Sequence, residues 1–279
     1  MSMKKYRVWI IALLCVSLLW GCTSENEKKP EGSATPTEGT KKPTEEVKQV
    51  TPTEAEKQPT PAEGQPTPTE KPKEEGKMAT VLYQGHGSLR VITAEGKVIY
   101  IDPFFGEGYD LPADLILMTH GHYDHTQDNL ITTKNADCVK ITWAEALKDG
   151  VHQSFDLGFV KVEAVEAGYN KNHNAKECVG YVLTFSDGVT LYVSGDTSTT
   201  PTMPAFAERN LDYAFFCCDG FYNMGVAEAS ECAKAVEAKH SIPYHMIPAN
   251  KGGFDRSVAE SFTAEGRIIL EPKEELKLQ

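Results

Sequence analysis

The sequence predicts an α/β domain built as a four-layer sandwich, with two β-sheets face to face and helices outside. Two observations lead there. Short apolar runs of strand length dominate both halves of residues 78–279, and each half closes in segments with helical spacing. Sheets with one apolar face each must bury those faces against one another, which stacks the layers.

The strands come quickly at the start, at Thr80–Tyr83, Ser88–Thr93 and Val98–Ile101, with turns at Gly85-His86-Gly87 and Glu95-Gly96. Asp102-Pro103 ends the third, and Leu115–Met118 is the next. A short helix should follow, and another fits Trp143–Lys148. Strands are expected again near Phe159–Ala164, Gly180–Phe185 and Thr190–Ser194, the last two joined by Ser186-Asp187-Gly188. Helical periodicity returns at Ala227–Ala238, then a strand at Ile242–Ile247 and a helix from Ser257 to Ala264. In the second half the apolar Tyr213–Phe216 precedes Cys217-Cys218, which read as buried packing thiols.

The chain ahead of this domain has a different character. Lys4, Lys5 and Arg7 precede the apolar Val8–Leu19, which ends at Leu19-Trp20-Gly21-Cys22. A basic start, a short apolar core and a small residue before a cleavage point make a secretory signal of residues 1–22. The run is short for a bilayer span. Cys22 after Gly21 resembles the acylated cysteine of bacterial lipoproteins, so Cys22 is the expected lipid anchor and the domain is expected outside the cytoplasm. Residues 23–77 cycle through Pro, Thr, Glu and Lys, as in Thr51-Pro52-Thr53-Glu54. Such a segment buries too little apolar surface to offset its chain entropy and is expected to be a disordered tether.

The chain's net charge of −12 falls entirely on residues 78–279, because the tether's small acidic excess cancels the signal's three bases. An acidic surface repels nucleic acid. It leaves open a small anionic substrate, which a metal centre can attract. The five cysteines of the domain, Cys138, Cys178, Cys217, Cys218 and Cys232, are odd in number and form no knuckle or redox pair.

Chemistry concentrates in Thr119-His120-Gly121-His122-Tyr123-Asp124-His125, directly after an apolar strand. Three imidazoles and a carboxylate in six positions point to metal, and two ions could share them. His120 and His122 would face one ion, Asp124 and His125 the other. Further candidates sit in loops at strand ends: His173 in a Gly/Asn-rich stretch, Asp196 in Ser194-Gly195-Asp196-Thr197, and His245 in Ile242-Pro243-Tyr244-His245. His152 and His240 read as ordinary surface histidines.

The ordered set His-x-His-x-Asp-His, a lone His, Gly-Asp-Thr and a late His resembles the metallo-β-lactamase superfamily of hydrolases. Gly85-His86-Gly87-Ser88, Tyr100-Ile101-Asp102-Pro103 and Asn223-Met224-Gly225 resemble the branch that includes L-ascorbate-6-phosphate lactonase. The resemblance implies the αβ/βα fold, with His120, His122 and His173 on a first metal. It implies Asp124, His125 and His245 on a second, and Asp196 bridging both. Zinc is the default for so many imidazoles, while the carboxylates also suit manganese or iron. A bridging water acidified by both ions would attack a small ester, lactone or phosphodiester, with Asp124 passing the proton to the leaving group. Asp196 in a Gly-Asp-Thr setting argues against a dedicated β-lactam hydrolase, and His122 against di-iron oxygen reductases.

Three further residues carry alternatives. His86 would support the centre or contact substrate, or be a structural turn residue. Asp102 would bond a ligand histidine from behind and fix its tautomer, or cap the turn at Pro103. Cys217-Cys218-Asp219-Gly220 stands where this branch has a Gly-Gly pair, so Asp219 would reach the pocket rim or accept a local backbone hydrogen bond. The competing functions are a phospholipase-type phosphodiesterase, which an exposed apolar lip would favour, and a binding lipoprotein without turnover.

Overall fold

The computed structural model describes residues 77–279. The expected signal, Cys22 and the tether up to residue 76 lie outside the described residues. Five strands open the domain: β1 (Thr80–Gly85), β2 (Ser88–Ile92), β3 (Val98–Ile101), β4 (Ala113–Leu117) and β5 (Lys134–Ile141). One-turn helix α1 (Trp143–Ala146) and a small hairpin, β6 (Leu147–Lys148) with β7 (Val151–His152), lead to the second half. There follow β8 (Ser154–Asp156), β9 (Val160–Glu166), β10 (Val179–Phe185), β11 (Thr190–Val193) and β12 (Tyr213–Cys217). Helix α2 (Val226–Val236), β13 (His240–Tyr244), helix α3 (Arg256–Ser261) and β14 (Glu275–Lys277) complete the chain.

Two six-stranded sheets result, in the orders β14-β1-β2-β3-β4-β5 and β13-β12-β11-β10-β9-β8. One apolar cluster fills the space between them, with Tyr83, Val91 and Ile101 from the first and Tyr181, Leu183, Val193 and Phe215 from the second. Helix α2 packs on the second sheet through Ala229, Cys232, Ala233 and Val236, which recur at helical spacing. The outer face of the first sheet has a thinner cover than the sequence suggested. A smaller cluster there joins Tyr100, Ile116 and Met118 to Tyr109, Leu111, Leu130 and Ile131, residues of loops and a 3₁₀ turn.

Both sheets share one device that positions the site. β3, β4 and β5 run parallel, as do β11, β12 and β13, whereas the other pairs in each sheet are antiparallel. Neighbouring strands lie about 4.8 Å apart, so parallel neighbours deliver the residues that follow them side by side. Ligand sites in α/β sheets collect at such carboxyl ends.

Several elements differ from their sequence expectations. The helix expected over Trp143–Lys148 begins with a capping box between Thr142 and Glu145 but stops at Ala146. Asp149 and Gly150 adopt left-handed backbone at φ 54° and 76°, which folds Leu147–Lys148 back onto Val151–His152. The last helix ends at Ser261 rather than Ala264. The strand expected over Ile242–Ile247 ends at Tyr244, and His245 follows it at φ 45°. Strands β5, β8 and β14 carried no recognisable pattern, because they are polar, largely exposed segments at or near sheet edges. Cys217 and Cys218 are buried, and burial pushes both thiols up.

Leu183 is fully buried between the sheets, and Val139 is exposed on edge strand β5. Leu183→Ala should cost about 2–5 kcal/mol of unfolding free energy, with a cavity left behind. Val139→Ala should stay within about 0.5 kcal/mol. Urea denaturation of the two variants measures the contrast.

Candidate metal centre

The ends of the parallel strands meet at one place. β3 releases Asp102, β4 releases the His120–His125 loop, and β11, β12 and β13 release Asp196, Asp219 and His245. His173 comes from the loop between β9 and β10, and His86 from the tight turn between β1 and β2. That turn has no room for a side chain beside His86, since a Cβ on Gly87 would stand 2.9 Å from the His125 ring. Gly195 is equally constrained: its φ is 61°, and a Cβ would stand 2.7 Å from the Val179 carbonyl oxygen.

Asp196, 3 % exposed, sits in the middle. Its Oδ2 lies 3.3 Å from His173 Nε2 and 4.0 Å from His120 Nε2. Its Oδ1 lies 3.3 Å from His245 Nε2 and 3.5 Å from His125 Nε2. The two oxygens therefore face two different pairs of imidazoles. His122 Nδ1 lies 3.2 Å from His173 Nε2, and His86 Nε2 lies 3.2 Å from Asp124 Oδ2. Three overlapping groups bring their donor atoms within 4.8 Å of one another: His120, His122 and His173; His120, His125 and Asp196; His86, Asp124, His125 and His245. All seven candidate ligands thus fall within these overlapping groups, and His86 stands beside the second set against Asp124. His152 and His240 belong to none of these groups, but they are half-buried rather than ordinary surface residues: His152 Nε2 is buried without a partner, and His240 stacks on Tyr213 with ring centroids 5.0 Å apart.

Groups behind the ring set its orientation. Asp102 is fully buried and accepts hydrogen bonds from Thr119 N at 2.7 Å, Thr119 Oγ1 at 2.7 Å and His125 Nδ1 at 2.9 Å. With its proton given to Asp102, Thr119 Oγ1 can only accept, which places the His120 proton on Nδ1, 3.1 Å away. One carboxylate therefore holds two histidines, His125 directly and His120 through Thr119, rather than capping the turn at Pro103. Asn170 Oδ1 lies 3.2 Å from His173 Nδ1. Asp219 has two uses: Oδ2 lies 3.4 Å from His245 Nδ1, while Oδ1 accepts from the backbone N of Phe221 and Tyr222. Asn223 Nδ2 donates to both Asp196 and Asp219 at 2.8 Å. Thr119, Asn170 and Asn223 escaped the sequence reading; their only signal was a polar side chain beside a candidate ligand or within a quoted motif.

The donor set fits divalent cations. His120 Nε2, His125 Nε2, His245 Nε2 and Asp196 Oδ1 are buried and have no hydrogen-bond partner. Native interiors rarely leave such atoms unpaired, and four converging on one spot make a nitrogen- and oxygen-rich cradle for metal. Burial lowers His120 and His173, which keeps both imidazoles neutral. Burial opposes the ionised form of Asp196, but the charge interactions with His245 and His125 outweigh it and hold the carboxyl well below its usual range. His125 differs. Burial would lower it, yet Asp196 and Asp102 raise it to about 9.

Residues 80–245 match the family model described as the beta-lactamase superfamily domain. The chain belongs to this superfamily. Among curated relatives, a metal-dependent hydrolase of Anoxybacillus flavithermus is 30% identical over 189 residues, which is 58% of this chain and 84% of that protein. Another, from Geobacillus sp. (strain WCH70), is 32% identical over 192 residues, 59% of this chain and 84% of the relative. Among solved structures, a candidate metal-dependent hydrolase from Parabacteroides distasonis superposes with a TM-score of 0.56 at 27% identity, covering 69% of this chain and 91% of its own. A metallo hydrolase from Ignicoccus hospitalis shares the fold, with a TM-score of 0.53 at 19% identity over 72% of this chain and 99% of that one. Like these relatives, this member of the superfamily is a metal-dependent hydrolase.

Two outcomes follow from the supporting contacts. Asp102→Asn removes the charge behind His125 and should weaken metal affinity about 10–100-fold, measured by competition with a chromophoric chelator. His125, at about 9, carries two ring protons at neutral pH when no metal is present. Its protonated form favours folding fully below the ordinary histidine value, and that contribution fades as pH rises through about 9. Metal entry near pH 7 should therefore expel one proton from this ring, read by calorimetry in buffers of different ionisation enthalpy, and Asp102→Asn should reduce the release.

Proposed function

We propose that this protein is a membrane-anchored, extracytoplasmic hydrolase that uses two divalent ions to cleave a small ester, lactone or phosphodiester. The observation that carries the two-ion reading is Asp196, whose oxygens each face a separate pair of imidazoles. His120, His122 and His173 would hold one ion, Asp124, His125 and His245 the other, with Asp196 between them. Zinc suits this imidazole-rich set, and manganese or iron suit its carboxylates. Bound there, the ions supply Lewis-acid charge that acidifies water and stabilises a developing oxyanion.

The chain's own residues supply the rest. Asp124 lines the cavity, with Oδ2 against His86. Burial opposes its charge, but the His86 hydrogen bond and the nearby His125 hold the carboxyl well below its usual range, so it is ionised at neutral pH. An ionised carboxylate so placed can orient the attacking water and carry its proton to the leaving group. His86, lowered to about 4 mainly by burial, stays neutral and gives Asp124 an N–H rather than a charge. The anchor rests on Leu19-Trp20-Gly21-Cys22 after a basic and apolar start, and residues 23–77 would space the domain from the membrane.

Elemental analysis of the purified protein should give about two zinc, manganese or iron ions per chain. A content near zero that persists after incubation with those metals would overturn the reading. Asp124→Ala should lower kcat/KM by about 10²–10⁴-fold on an ester and phosphodiester panel. A binding protein without turnover would show no activity to lose and only a modest change in affinity.

A further inference from the structure

The walls of the cavity facing away from the metal-binding groups are uncharged and mostly apolar, with the Asn250 amide and the tyrosine hydroxyls as their polar groups. It encloses about 320 Å³, at the lower end of the range for small-molecule sites, and Tyr123, Tyr222, Pro248, Ala249 and Asn250 complete its lining. No lysine or arginine stands among the lining residues. Lys251 lies close by, but its Nζ sits 5.9 Å from the Phe221 ring centroid and does not line the cavity.

The mouth is aromatic on both sides. Tyr123, from the loop after β4, is 62 % exposed, and Phe104 packs edge-on against it with ring centroids 5.5 Å apart. Tyr222, from the loop after β12, is 45 % exposed, and Phe221 packs edge-on against it at 4.7 Å. Each sheet thus contributes one backed tyrosine to the same opening. Tyr222 is also fixed by its backbone: its N donates to Asp219 Oδ1 at 2.7 Å, and its carbonyl accepts from Asn172 Nδ2 at 2.8 Å. Aromatic surface held open in this way costs little further ordering when a ligand covers it.

We propose that the enzyme selects a neutral ester or lactone whose apolar or aromatic flank lies between Tyr123 and Tyr222, and rejects substrates that carry a second anionic group there. The proposal rests on the hydrolase reading and names its substrate class. Metal ions held by the His and Asp groups would supply positive charge to the group that reacts. A carboxylate or phosphate elsewhere on the substrate would lose its water to Tyr, Pro, Ala and Asn surfaces, whose neutral donors supply no cation in return. The excess of acid in the domain opposes such a substrate at long range as well.

The test pairs binding with turnover on metal-loaded protein. Calorimetry compares p-nitrobutyranilide with its anionic counterpart, p-nitrosuccinanilic acid, and kinetics compares p-nitrophenyl butyrate with p-nitrophenyl hemisuccinate. Binding of the neutral anilide should be at least about tenfold tighter. Tyr222→Ala and Tyr123→Ala should each bring the ratio towards one, chiefly through Kd and KM, while Tyr222→Phe retains it. An anionic anilide bound as tightly as the neutral one, no measurable binding of the neutral one, or a ratio unmoved in both alanine variants would overturn the proposal. A phospholipase-type enzyme would instead favour an anionic diester such as bis(p-nitrophenyl) phosphate, which also overturns it. Selective binding of the neutral anilide without turnover of any ester would support the pocket assignment and sink the ester-hydrolase reading alone.

Discussion

The carboxylate of Asp196 is buried among imidazoles, and the inward nitrogens of His120, His125 and His245 have no hydrogen-bond partner; the rest of the domain is arranged around that fact. An ionised carboxyl in an apolar interior is costly unless it is paired. The sheets provide pairing by parallel strand ends: β11 carries the carboxylate, β13 carries His245 two strands away, and β4 of the facing sheet carries His120 and His125. The seam beneath them is tied by hydrogen bonds between the sheets, with the backbone Val179 N donating to Thr119 O and the Tyr181 side-chain OH to Met118 O. Packing between the sheets therefore sets the distances on which metal binding depends.

Holding so many donors inward requires unusual backbone. His86, Asp102 and His245 all take positive φ, at 52°, 47° and 45°, a region that side chains other than glycine seldom occupy. Each such residue costs about 1–3 kcal/mol and persists where its surroundings over-determine it. The surroundings here are specific. His245 N donates to the His86 carbonyl, His86 N donates to Gly253 O, and Tyr83 OH reaches the same His86 carbonyl. Asp102 is fixed by three donors to its side chain and by Ser88 Oγ on its carbonyl. Other left-handed residues, such as Asp149 and Asn210, lie in turns elsewhere, but these three hold side chains at the candidate centre.

Asp219 links the centre to the mouth. One carboxylate oxygen faces His245 and Asn223, and the other gathers the backbone N–H groups of Phe221 and Tyr222. Asn223 then joins that turn to Asp196 itself. The loop that presents aromatic surface to a substrate is thereby built on the same network that orients the imidazoles. Chemistry and selectivity share one support, although their side chains arise from different strands.

Much of this was legible in the sequence. Apolar runs such as Leu115–Met118 and Thr190–Ser194 marked strands because a buried sheet face demands them, and the density of His and Asp after Met118 marked metal chemistry before any fold was known. Polar β5 and β14 gave no such signal, since an edge strand is defined by its neighbour's hydrogen bonds rather than by its own pattern. Sequence named the seven candidate ligands but not Thr119, Asn170 or Asn223, whose roles exist only through distances across strands. It offered two readings each for Asp102 and Asp219, and only the tertiary structure shows where those carboxylates point. Composition and motif settle which chemistry the chain can carry, because that depends on side-chain types. Orientation, tautomer and the shape of the mouth are decided by packing, because they depend on which strand ends the two sheets bring together.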